Sequence, residues 1–155
     1  MHSVFVSHSS PAIKRAVRFK ELMEQGSSGV HVFLSSDWDS IRSGAIWVGE
    51  IERALSCCKH FIALLTSVDD ARSPWMNYEI GYVRGRGILP RIFLFDSITA
   101  SEVQYPLGML HLICPGNTNR RMGDLHEMGI SDPENRFAKL LYVRSEAEVD
   151  ATRTA

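Results

Sequence analysis

At 155 residues the chain has the length of one domain and can bury a full hydrophobic core without disulfide or metal staples. Apolar residues make up 45% and charged residues 23%, which excludes an intrinsically disordered chain. Seventeen Lys and Arg against eighteen Asp and Glu leave a net charge of −1, whereas a protein that holds nucleic acid through its phosphates is strongly basic.

Short apolar runs alternate with segments of helical period, the signature of an α/β fold with a parallel sheet. The first run, Val4, Phe5 and Val6, stops at Ser7, His8, Ser9, Ser10 and Pro11. Ser10 before Pro11 reads as an N-cap with proline at the first helical position. In the helix that follows, Ala12, Ala16, Phe19 and Met23 share one face, with Ile13 and Val17 beside them. Lys14, Arg15, Arg18, Glu21 and Glu24 take the opposite, water-facing side, and Gly26 ends the helix. A second strand over 31–34 runs into a polar loop over 35–44. Trp47, Val48, Ile51, Ala54, Leu55 and Cys58 then recur with the best helical period in the chain. Residues 61–65 form a continuous apolar strand, suited to the centre of a sheet covered on both faces. Ser73 and Pro74 repeat the cap-plus-proline signal and open a helix from Trp75 to about Arg84. Residues 88–95 and 110–114 read as strands, the first interrupted by Pro90. A short helix is expected within 117–129, and Asp132 with Pro133 opens a last helix whose Phe137, Leu140 and Leu141 face inward. The domain spans 1–144; residues 145–155 are polar and small, a frayed tail or the start of a linker.

The order β-α-β-α-β-α-β-β-α describes an open, doubly wound α/β domain: a flavodoxin-like three-layer sandwich with a central parallel sheet. Ligands bind such sheets at the carboxyl ends of the strands, which groups the loops 7–10, 35–44 and 66–73 around one site.

Several chemistries are excluded by missing motifs. There is no GxxxxGK[ST] loop, and Gly26, Ser27, Ser28 and Gly29 do not make a GxGxxG fingerprint. No GxSxG elbow occurs, and the acidic positions of a response regulator are held by serines and a threonine. The six histidines show neither HExxH nor paired spacing, so no metal is expected. Cys57, Cys58 and Cys114 are an odd number with two adjacent, which suits small core residues in a reducing compartment. The longest apolar run, 61–65, is far too short for a bilayer, and polar residues 7–10 stand where a signal peptide needs its apolar stretch. A cytoplasmic protein with no membrane contact and no direct nucleic-acid contact is expected.

Trp75 and Glu79 lie at i and i+4, one turn apart on a face that continues to Val83. Two readings stand for Glu79. A carboxylate among apolar groups near the strand ends can oppose developing positive charge on a substrate; a glutamate in an early helical turn is also favoured simply by the helix dipole. Residues 7–10 cradle a phosphate on one reading and form a plain N-cap on the other. Trp38 and Trp47 flank the long loop, and Trp47 fits either a stacking role or the apolar face of its helix.

Taken together, residues 4–10, 32–36, 44–47, 51–55, 61–66 and 73–81 resemble a Toll/interleukin-receptor (TIR) domain of the bacterial kind. The resemblance runs in order over about residues 3 to 96 and more weakly to about 143. It implies the flavodoxin-like fold and one of two functions. Many TIR domains cleave the nicotinamide–ribose bond of NAD, giving nicotinamide plus ADP-ribose or a cyclic isomer; others are non-catalytic adaptors that only associate with one another. In the enzymes the glutamate of a W-x-x-x-E setting is catalytic, which maps to Glu79 with Trp75 in the tryptophan position. The loop after the first strand maps to His8 and Ser9 and the long loop, 36–44, includes Asp37; with Trp47 and Trp75 these are the implied substrate contacts. NAD is then a substrate and no cofactor is implied. The resemblance further implies activation by self-association, a fused or separate sensor domain, and a role in antiviral defence or signalling.

Overall fold

The computed structural model describes residues 2–35 and 47–153. The elements are β1 (His2–Ser7), α1 (Ile13–Gln25), β2 (Val30–Leu34), α2 (Trp47–Cys57), β3 (His60–Leu65), α3 (Val68–Arg72), α4 (Pro74–Gly85), β4 (Arg91–Leu94), β5 (Leu112–Ile113), α5 (Thr118–Glu127) and α6 (Arg136–Leu141). Among the described residues the five strands form one sheet in the order β2-β1-β3-β4-β5, and every neighbouring pair is parallel. This is the expected flavodoxin-like sheet, and its order reverses at β1. The crevice at the carboxyl ends of β1 and β3 is therefore the topological switch point where such sheets bind ligands.

Strand alternation distributes the core to the two faces. Val4 and Val6 of β1 join Ala16, Phe19, Leu22 and Met23 of α1, together with Leu125 of α5 and Phe137 and Leu140 of α6. Phe5, one residue out of phase, joins Ile51 and Leu55 of α2 and Met76, Ile80 and Val83 of α4 on the other face. Ser7 shares that second phase, so the last side chain of β1 points toward α4.

Several expectations change. The chain does not enter α1 through a Ser10 cap. Ser9 stands at the N-cap position of a 3₁₀ turn, Ser10–Ala12, that precedes α1, with no side-chain cap bond. The stretch 66–73, expected as a loop, contains α3. Ser67 and Asp70 form a reciprocal capping box, and the Asp70 carboxylate also accepts from the Thr66 hydroxyl at 2.7 Å. Strand β4 begins only at Arg91, because Pro90 has no N–H to give the ladder, and β5 is two residues long. The last helix starts at Arg136, not at Pro133; the Asp132 carboxylate reaches forward to accept from the backbone N–H of Arg136 and Phe137 at 2.7 and 3.1 Å.

The largest departure is the C-terminal segment. Glu146–Arg153 forms a 3₁₀ helix laid along α1, with Val149 buried. The Glu146 carboxylate accepts from the backbone N–H of Lys14 at 2.7 Å and from Arg15 Nε at 2.6 Å. Arg15 and Arg18, which helical period turns toward water, are consequently 7% and 6% exposed. Gly26 does end α1, but its φ of −77° is ordinary. It is required by close approach, since a Cβ there would lie 2.7 Å from the Ser131 carbonyl oxygen.

Candidate active site

Glu79 sits in the second turn of α4, whose start is fixed by Pro74 and by Ser73, the Ser73 hydroxyl accepting from the N–H of Met76 at 3.2 Å. Its residue is 0% exposed, on the face that also buries Met76, Ile80 and Val83. The Ser7 hydroxyl, at the end of β1, donates to Glu79 Oε2. Burial drives the carboxyl's pKa up from its ordinary 4.5 to about 7, and the Ser7 hydroxyl and then the Trp75 indole pull it back. The indole acts from outside hydrogen-bond geometry: among the described residues neither Trp75 Nε1 nor Glu79 Oε1 has a hydrogen-bond partner.

Trp75 lies between two other rings. Its centroid is 4.4 Å from Trp47 and 5.2 Å from Tyr78, both in stacked geometry. Trp47 is the first residue of α2, so the stack ties the beginning of α2 to the first turns of α4. The Tyr78 hydroxyl, donating to Glu52 of α2 at 2.6 Å, ties them a second time.

His8 and Ser9 continue the chain from Ser7. The His8 N–H donates to the Ser35 hydroxyl at 3.1 Å, which braces the ends of β1 and β2 against each other. His8 Nδ1 lies 2.8 Å from the Ser9 carbonyl. Ser9 Oγ is buried with no hydrogen-bond partner among the described residues. Five of the six residues singled out in the sequence thus fall in one continuous set at the switch point: Trp47 stacks on Trp75, Trp75 flanks Glu79, and Glu79 is bonded to the residue before His8 and Ser9. Asp37 lies outside the described residues, as do Trp38 and the remainder of 36–46.

Sequence reasoning missed Ser7 as the partner of Glu79. The signal was present: Ser7 falls two residues after Phe5, and strand alternation sends both toward the same face. Ser35 reads in the sequence only as part of a polar loop, and no pattern there marks it as a brace. Among the described residues no cluster of three or more His, Cys, Asp or Glu is arranged to hold a metal ion, and no helix is long and apolar enough to cross a membrane.

The arrangement defines an α/β domain with a buried carboxylate and an aromatic wall at the topological switch point. The model of the TIR domain family matches residues 4–141, and the chain belongs to that family. Among solved structures, it is similar to the TIR domains of the activated Roq1 resistosome directly recognizing the pathogen effector XopQ, with a TM-score of 0.52 at 17% identity. That match covers 100% of this chain and 86% of the other, and at this identity it speaks for the fold alone. No curated protein sequence matches the chain.

Proposed function

We propose that this TIR domain is an NAD glycohydrolase, cleaving the nicotinamide–ribose bond to give nicotinamide plus ADP-ribose or a cyclic isomer. The observation that carries the reading is Glu79, a carboxyl with no exposed surface, placed at the switch point with no cationic side chain bonded to it among the described residues. A surface that only binds another protein has no need of a desolvated acid held in that position. A reaction that develops positive charge does.

Nicotinamide in NAD is a pyridinium, already a good leaving group, so no general acid is needed. As the C1′–N bond breaks, its electron pair returns to the ring nitrogen and neutral nicotinamide departs. The positive charge passes to the ribose, which acquires oxocarbenium character as in glycoside cleavage. Ionised Glu79 stabilises that charge, and the same charge on the substrate draws the carboxyl toward ionisation. Water then adds to the anomeric carbon and releases a proton, or an adenine nitrogen adds to close a ring. In this reading Trp75 and Trp47 wall the reacting end, while His8, Ser9 and Asp37 contact the remainder of the dinucleotide. NAD is the substrate, without a separate cofactor or metal. The enzyme would work in the cytoplasm, switched on by self-association through a fused or separate sensor domain, in antiviral defence or signalling.

The test is incubation of purified protein with NAD and chromatographic resolution of nicotinamide, ADP-ribose and its cyclic isomers. Activity in the parent and loss of turnover in Glu79→Gln is the expected result. A parent inactive even when crowded or fused to an oligomeriser would leave the chain a non-catalytic TIR adaptor.

A further inference from the structure

We propose that Ser7 is the positioning residue of Glu79: its hydroxyl, mounted on the end of β1, fixes one carboxylate oxygen and so sets the direction of the other. The inference rests on the reading of Glu79 given above and deepens it. Ser7 is 1% exposed and belongs to the strand frame, its backbone in register with Ala63 of β3. A hydroxyl held by a sheet moves less than one held by a loop, so it defines an orientation for the carboxylate. The two oxygens of Glu79 are thereby made unequal. Oε2 accepts from Ser7, whereas Oε1 is buried with no hydrogen-bond partner among the described residues.

The same bond opposes the effect of burial. A hydroxyl donating to a carboxylate stabilises the charged form, which is the form that can meet an oxocarbenium-like sugar. Among the described residues, the other titratable groups on the elements around Glu79 are bonded elsewhere or exposed. Asp70 of α3 accepts from Thr66 and Ser67, and Glu52 of α2 accepts from Tyr78 of α4. Glu50 of α2 pairs with Arg53, and His8 after β1 meets the Ser9 carbonyl. In α3, Asp69 and Arg72 are exposed, as is Arg84 of α4. At the far end of β3, His60 faces Arg91. Among the described residues Ser7 is thus the hydrogen-bond donor to Glu79 and the larger restraint on its proton affinity, with the Trp75 indole the smaller.

The experiment is a pH titration of the Glu79 carboxyl by carbon-13 NMR, identified by its disappearance in Glu79→Gln, alongside the pH profile of kcat/KM for NAD. Ser7→Ala should move both midpoints upward by about one pH unit, the scale of one hydrogen bond to a charged group. Activity below the midpoint then falls about tenfold for that one-unit shift. Ser7→Thr, which keeps the hydroxyl, should return the midpoint toward that of the parent. A purely structural serine would lower the melting temperature without moving either titration, and unmoved midpoints in Ser7→Ala overturn the inference. A parent that cleaves no NAD, but whose Glu79 titration moves in Ser7→Ala, would remove the proposed activity and leave the positioning role standing. Turnover that requires Glu79 but keeps its pH midpoint in Ser7→Ala would do the reverse.

Discussion

Burial and ionisation compete at Glu79, and the competition is measurable in stability as well as in turnover. Its folded pKa, about 7, is raised above the ordinary 4.5, so the folded protein holds this proton more tightly than the unfolded chain does. The corresponding stability is fully present below pH 4.5 and is lost as pH rises to about 7. At about 1.4 kcal/mol per pH unit, the ionised carboxyl costs the fold about 3 kcal/mol above that range. Glu79→Gln removes that cost, so the variant should be more stable than the parent at pH 8 by about this amount. The gap should close as pH falls to 4.5. Urea melts at a series of pH values read this directly. A constant gap would show that Glu79 does not titrate across this window. The Trp75–Glu79 spacing and its apolar face were legible in the sequence, because four residues make one helical turn whatever the fold. The hydroxyl bonded to Glu79 comes from a strand 72 positions away, and only the packing of α4 on β1 brings it there.

At the scale of elements, stability is concentrated where two pieces of chain share a cap or a ring. Trp75 is held between Trp47 and Tyr78, so Trp75→Ala takes both stacks and the wall beside Glu79. It should cost about 3 kcal/mol in a denaturant melt and lower NAD turnover strongly. The C-terminal 3₁₀ helix is the other such place. Removing residues 145–155 takes Glu146 from the start of α1 and uncovers the contact made by Val149. Valine burial and a helix cap together are worth about 2–4 kcal/mol, and the melting temperature of the shortened chain should fall accordingly. Glu146→Ala alone should cost about 1 kcal/mol. An unchanged melting temperature on truncation would mean that the segment does not hold α1 in solution. The sequence offered little warning here. Composition marks 145–155 as polar, and only the tertiary structure shows that Arg15 and Arg18 are what it covers. The short helix α3, expected as loop, has a local origin by contrast: Ser67 and Asp70 stand at capping-box spacing, a signal that lies within four residues.

For the whole molecule, the parallel sheet sets the geometry of the candidate site: every strand delivers its carboxyl end to the same edge, and the order reversal at β1 puts the topological switch point there. Cleavage through an oxocarbenium-like state benefits from the exclusion of water, and a second copy of the chain set against this edge would supply a further wall. Specific activity toward NAD should therefore rise with protein concentration or crowding, in step with the assembly followed by light scattering. Flat specific activity from nanomolar to high micromolar protein, with a monomer throughout, would show that one chain completes its own site.

The sequence by itself determined the order of the five strands and of the longer helices between them, the parallel sheet and the Trp75–Glu79 pair. These follow from periods of 2.0 and 3.6 residues and from proline and serine at helix starts, all of which are local properties. Tertiary structure alone decided the partner of each charged or polar group. Ser7 reaches Glu79, Ser35 braces His8, and Glu146 meets Arg15 across 131 positions. Such pairings have no period to read, because they arise only when separate elements are packed and each buried polar group must find a donor or acceptor away from water.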